Sequence, residues 1–125
     1  MKNILIVDDE ELFTRSLAEG LVGFDSSLRT YTAVNGQKAV EILASVDVDL
    51  VLSDIQMPVM DGFKLLAYMS RRHPQVPVLL MTAFGTEEIR TRLQSAGVDR
   101  YFEKPVDFDA IARKISEVLQ SSASG

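Results

Sequence analysis

The stretch Val48-Asp49-Leu50-Val51-Leu52-Ser53-Asp54-Ile55-Gln56-Met57-Pro58 decides how the chain reads. Three apolar residues, Leu50, Val51 and Leu52, lead straight to a single carboxylate, Asp54, and a turn signal, Pro58, follows. A short unbroken apolar run between turn signals is a strand covered on both faces, as in a parallel sheet flanked by helices. Asp54 then stands at the carboxyl end of a central strand, where α/β sheets place their ligands.

Working outward, two more such runs frame it. Ile4 to Val7 ends in four acids, Asp8-Asp9-Glu10-Glu11, and Val78 to Met81 ends in Thr82-Ala83. Leu28 to Val34 is rich in Thr, Tyr and Val and reads as a strand, and Tyr101-Phe102 as a short last one. Between them lie helical periodicities. These are Phe13, Leu17, Leu21 and Phe24; Val40 and Leu43 after Asn35-Gly36; and Leu65, Leu66 and Met69 after a capping Asp61. Ile89, Leu93 and Ala96 follow, with Gly97 as C′ residue, then Phe108, Ile111, Ile115 and Val118. Five strand–helix units in strict alternation predict one α/β domain of (βα)5 type, a parallel sheet with helices on both faces. The domain is set at residues 1–120, and Ser121 to Gly125 as a flexible tail or the start of a linker.

Composition narrows the function. The chain has 125 residues, and its net charge of −5 gives no basic footprint for nucleic acid. Without cysteine, disulfides, thiolate zinc sites and thiol catalysis are excluded, and the single histidine, His73, rules out multi-histidine metal sites. His73 beside Pro74 reads as a solvated helix-end residue rather than a phosphodonor. The apolar run at the N-terminus is too short for a signal sequence or a membrane span, so a cytoplasmic location is expected.

A parallel sheet gathers the carboxyl ends of its strands on one edge. There this chain places Asp8 and Asp9, Asp54, Thr82 and Lys104. Taken singly, each has a plain explanation as a loop acid, a strand end, a cap or a surface lysine. Gathered, the acids repel, and one is driven toward protonation unless positive charge compensates. Lys104 is one compensation and a divalent cation another. Hard oxygen ligands favour Mg²⁺ or Mn²⁺, and Mg²⁺ takes one or two carboxylates together with phosphate oxygens. Asp54 is the carboxylate placed to attack phosphorus.

These residues carry a resemblance. Asp8-Asp9, Asp54, Thr82-Ala83, Tyr101 and Lys104-Pro105, in this order, resemble the motif set of the receiver domain of two-component response regulators, from Lys2 to about Gln120. The resemblance implies the flavodoxin-like strand order 2-1-3-4-5. It implies that Asp54 accepts phosphate from the phosphohistidine of a histidine kinase or phosphotransfer protein. Asp9, Asp54 and the main-chain carbonyl of Gln56 would bind Mg²⁺, with Asp8 acting through a coordinated water. Lys104 would pair with the phosphate, ahead of a cis bond to Pro105. Thr82, with Ala83 beside it, would swing to the phosphoryl group and Tyr101 would turn inward. The surface of the fourth helix, fifth strand and fifth helix would pass the signal to an effector domain or downstream protein. Gln56 and Phe84, two residues beyond Asp54 and Thr82, would tune the phosphate's lifetime, with Phe84 shielding it from water. A homodimer could draw on Arg90, Arg92, Asp99, Arg100, Asp107 and Arg113.

Three rivals are weighed against this. A hydrolase using an aspartyl-phosphate usually carries a second acid two residues on, where Gln56 stands. A flavin or dinucleotide carrier lacks its GxGxxG after the first strand. An interaction module indifferent to phosphorylation is left open by the sequence.

Overall fold

The computed structural model describes residues 1–57, 60–98 and 101–124, with side chains as far as Gln120. Its elements are β1 (Lys2–Val7), α1 (Glu11–Phe24), β2 (Leu28–Ala33), α2 (Gly36–Ser45) and β3 (Leu50–Asp54). They continue as α3 (Gly62–Arg72), β4 (Val78–Thr82), α4 (Glu87–Ser95), β5 (Phe102–Glu103) and α5 (Phe108–Ser124). The strands form one sheet in the order β2-β1-β3-β4-β5, and every neighbouring pair is parallel. This is the flavodoxin-like order expected above.

Alternation along the strands sorts the core into two layers. Ile4, Ile6, Leu50 and Leu52 pack with Leu17 and Leu21 of α1 and Ile111 and Ile115 of α5. Leu5, Val7 and Val51 pack on the other face with Ala39 and Leu43 of α2 and Leu65 and Met69 of α3. Burial on both faces is why β1 and β3 read as continuous apolar runs. A smaller cluster of Ile55, Leu80 and Leu93 seats α4, whose one buried residue is Leu93.

The caps explain where the helices begin and end. Asp61 Oδ1 accepts from Lys64 N–H at 2.9 Å, Asn35 Oδ1 from Lys38 N–H at 2.8 Å, and Thr86 Oγ1 from Ile89 N–H at 3.2 Å. Gly97 takes φ 79° beyond the α4 C-cap Ala96, the left-handed turn that favours glycine.

Some expectations need correction. Phe24 is half exposed, and the buried face of α1 is Thr14, Leu17 and Leu21, because Phe24 closes the helix beyond the sheet-facing turn. Ala96 is exposed at the α4 C-cap. Tyr101 lies just before β5 and outside it. The small polar stretch from Ser121 is helical to Ser124, since neither Gly nor Pro interrupts α5 before Gly125. Pro58, Asp99 and Arg100 lie outside the described residues. Among the described residues no helix is long and apolar enough to cross a membrane.

Candidate functional site

The site is assembled by strand ends. β3 delivers Asp54 as its last residue, 3% exposed. Asp8 follows β1 directly, its N–H bonded to Ala33 O at 3.0 Å, and is fully buried. Thr82 ends β4, and Lys104 N–H donates to Thr82 O at 2.8 Å, which sets Lys104 beside β4 just past β5. The Lys104–Pro105 peptide bond is cis.

Close backbone approach holds the β3 end in place. Gly62 N–H donates to Ile55 O at 2.8 Å. A Cβ on Gly62 would stand 2.5 Å from Asp54 O and 2.8 Å from Ile55 Cα. Only glycine lets α3 start this near Asp54.

Asp8, Asp9 and Asp54 each offer a carboxylate oxygen, all within 4.8 Å of one another. Lys104 Nζ compensates them, at 2.7 Å from Asp8 Oδ2 and 3.4 Å from Asp54 Oδ2. Among the described residues, buried Asp54 Oδ1 has no hydrogen-bond partner, a costly state for a charged oxygen unless a cation or donor meets it. An unpartnered buried oxygen beside two further carboxylates fits a hard divalent cation such as Mg²⁺.

The electrostatics follow from this packing. Burial, reinforced by the charge of Asp8, pushes the Asp54 carboxyl up to about 6, although Lys104 opposes the shift. Burial raises Asp8 as well, against its hydrogen bonds from Lys104 and the Glu10 amide. Burial works against the Lys104 charge, but hydrogen bonds to Asp8 and Glu10 and the field of Asp54 outweigh it, and its pKa is raised.

Thr82 is buried and tied down. Its Oγ1 lies 3.0 Å from Gln56 Oε1 and 3.1 Å from Phe84 O, and it accepts from Phe84 N–H at 3.1 Å. Ala83, beside it, is exposed. Tyr101 is half-buried against the Ile55–Leu80–Leu93 cluster and borders a surface cleft with Arg90, Leu93 and Val98. Phe84 is 66% exposed, so the ring stands largely in water and gives the expected shielding no support in this arrangement.

Sequence reading missed five participants. Glu10 Oε1 is a third partner of Lys104, at 3.0 Å; its place directly after Asp8-Asp9 was the signal. Phe13, read as a core residue, lies under Lys104 with Nζ 4.8 Å from the ring centroid. Gly62 follows the capping Asp61, and nothing local in the sequence marks its contact with the Asp54 carbonyl oxygen. Arg92, read as an intersubunit charge, sits 4.0 Å over the Phe63 ring. Asp107, read in the same way, accepts from Asp109 N–H and Ala110 N–H at the start of α5.

A buried acid at the end of β3, two acids after β1, a hydroxyl after β4 and a lysine after β5 define a doubly wound domain with an acidic cluster that could hold a cation, and a lysine beside it, at one sheet edge. The sequence model of the response regulator receiver domain matches residues 4–116, and the chain belongs to that family of two-component signalling domains. Regulatory protein AtoC of Escherichia coli (strain K12) is 38% identical over 122 residues, covering 96% of this chain and 26% of that protein. DNA-binding transcriptional regulator NtrC of the same organism is 38% identical over 116 residues, 93% of this chain and 24% of that protein. The chain thus spans about a quarter of the length of these curated relatives. A receiver domain protein (CheY-like) from Methanospirillum hungatei JF-1 superposes with a TM-score of 0.87 at 27% identity, covering 99% of this chain and 98% of that one.

Proposed function

We propose that Asp54 takes a phosphoryl group from the phosphohistidine of a sensor histidine kinase or a phosphotransfer protein. The observation that carries this reading is the state of Asp54 itself, a buried carboxylate with one oxygen unpartnered among the described residues and the other facing Lys104. In the step, an Asp54 oxygen attacks phosphorus in line, the P–N bond breaks, and its electron pair stays on the imidazole nitrogen. Asp8, Asp9 and Asp54, with the main-chain carbonyl of Gln56, would hold Mg²⁺ or Mn²⁺, which supplies positive charge to the phosphoryl oxygens when bound. Lys104 supplies a fixed cation from the other side.

The acyl phosphate then acts as a switch. It adds roughly −1.5 to −2 charge and three strong acceptors. Thr82, beside Ala83, exchanges its bonds to Gln56 and Phe84 for the phosphoryl group, and Tyr101 follows into the space released. Gln56 and Phe84 tune how long that state lasts. The α4–β5–α5 surface presents the change to an effector domain or downstream protein. Relatives four times as long support an origin in a larger regulator, and the exposed Arg90, which donates to Gly85 O, and the exposed Arg113 would serve a phosphorylation-dependent homodimer. The chain works as a signalling domain in the cytoplasm, catalysing only its own phosphorylation and dephosphorylation, and does not itself bind nucleic acid. Incubation with acetyl phosphate and Mg²⁺, followed by a phosphate-affinity gel, tests the reading. A retarded band for the wild type and none for Asp54→Asn is expected; identical migration would sink it.

A further inference from the structure

Glu10 occupies the N-cap of α1, with φ −90° and ψ 94°, yet its side chain makes no capping bond. A carboxylate at that position ordinarily accepts from an amide of the first turn. Here Glu10 Oε1 turns to Lys104 Nζ at 3.0 Å instead. Its own N–H donates to Asp8 Oδ1 at 2.9 Å, which fixes Glu10 beside the acid that Lys104 holds most closely. An ammonium has three donors, and this one meets three carboxylates, Asp8 at 2.7 Å, Glu10 at 3.0 Å and Asp54 at 3.4 Å. Both acids at the β1–α1 junction hold it closer than Asp54 does. The side chains of Asp8 and Asp54 are 0% and 5% exposed, whereas that of Glu10 is 63% exposed. Glu10 is therefore the member of the trio that returns to water with the least rearrangement.

We infer that Glu10 is a resting-state placeholder on Lys104, occupying the ammonium donor that a phosphoryl group on Asp54 requires and leaving for solvent when that group arrives. The inference rests on Asp54 as phosphoacceptor and adds a positioning residue that acts through Lys104. A phosphoryl group brings more negative charge to an ammonium already shared among three acids, and like charges in one site exclude one another. The exposed acid yields. Glu10 thus holds Lys104 between β1 and β3 at rest and competes with the phosphoryl group for it.

The test is the affinity of the full chain for beryllofluoride at saturating Mg²⁺, read by fluorine NMR, in the wild type and in Glu10→Gln and Glu10→Ala. Because Glu10, the partner that is displaced, is largely exposed, both variants are expected to bind about two- to five-fold more tightly than the wild type. In a Lys104→Met background the Glu10→Gln gain disappears, because the two residues act as one pair. A merely structural effect of Glu10 would persist there. Unchanged or weaker binding by both variants, or a gain that survives without Lys104, overturns the inference alone. A wild type that takes up no beryllofluoride overturns the phosphoacceptor reading and the inference together.

Discussion

Thr82 Oγ1 stands 3.0 Å from Gln56 Oε1, joining the end of β4 to the loop after β3 side chain to side chain. The hydroxyl has one proton, shared between this oxygen and Phe84 O at 3.1 Å. A switch that draws Thr82 toward Asp54 must first break this tie. A neutral hydrogen bond contributes about 0.5–1.5 kcal/mol, so Gln56→Ala is expected to raise the population of the switched conformer roughly two- to ten-fold. NMR relaxation dispersion of the β4–α4 amides would measure it, and an unchanged population would speak against the latch. Thr82→Val, which keeps the volume and loses the hydroxyl, is expected to leave the Tyr101 ring signals unresponsive to beryllofluoride.

Gly62 makes a second sharp expectation. Alanine there puts a methyl group into the Asp54 carbonyl oxygen and Ile55 Cα, backbone atoms that yield only if the strand end moves. Gly62→Ala should cost about 1–3 kcal/mol in a urea titration and weaken Mg²⁺ binding, because it shifts the acid itself. Gly23→Ala has open space around it and is the natural control, neutral or slightly stabilising.

How far the sequence carried the reading depends on distance along the chain. The apolar runs Ile4–Val7, Leu50–Leu52 and Val78–Met81 were legible because burial on both faces leaves a continuous signature in the chain. Asp61 and Gly97 were legible because caps act within a few residues. The convergence of Asp8, Asp54, Thr82 and Lys104 followed from topology, since parallel strands share one edge. Side-chain choices made in space were not legible. Nothing local says that Glu10 leaves its own helix for Lys104, that Arg92 stacks on Phe63, or that the helical pattern at Phe24 turns outward. Each is decided by partners on another element.

The acidity of Asp54 fixes a pH dependence. Its folded-state pKa lies near 6 against an ordinary 3.8, so the folded protein holds this proton more tightly than the unfolded chain. The stability gained is fully present below about pH 4 and is lost as pH rises through about 6. In metal-free buffer, Asp54→Asn should therefore be more stable than the wild type at pH 8 by roughly 2–3 kcal/mol, and the gap should close at pH 4. Saturating Mg²⁺ should narrow the difference at pH 8 by stabilising the wild type alone. Denaturant midpoints of both proteins with and without chelator measure it; equal midpoints at pH 8 would contradict the packing described for Asp54.

α4 is the least anchored helix facing the site, held by buried Leu93, half-buried Ile89 and the stacking of Arg92 on Phe63. Arg92→Ala removes a contact of about 0.5–1 kcal/mol at an exposed site. Hydrogen exchange of the α4 amides should accelerate by roughly two- to five-fold, with α1 and α2 unaffected. Uniform acceleration across all helices would mean that Arg92 stabilises the whole domain rather than α4 alone.

The central claim concerns one oxygen of one residue, and borohydride trapping reaches it most directly. After reaction with acetyl phosphate and Mg²⁺, reduction of an acyl phosphate converts its aspartate to homoserine, which peptide mass spectrometry locates. The account requires homoserine at position 54 in the wild type, none in a Lys104→Met or Mg²⁺-free reaction of equal duration beyond a small residue, and none in Asp54→Asn. Homoserine at Asp8 or Asp9 with position 54 unmodified would contradict it.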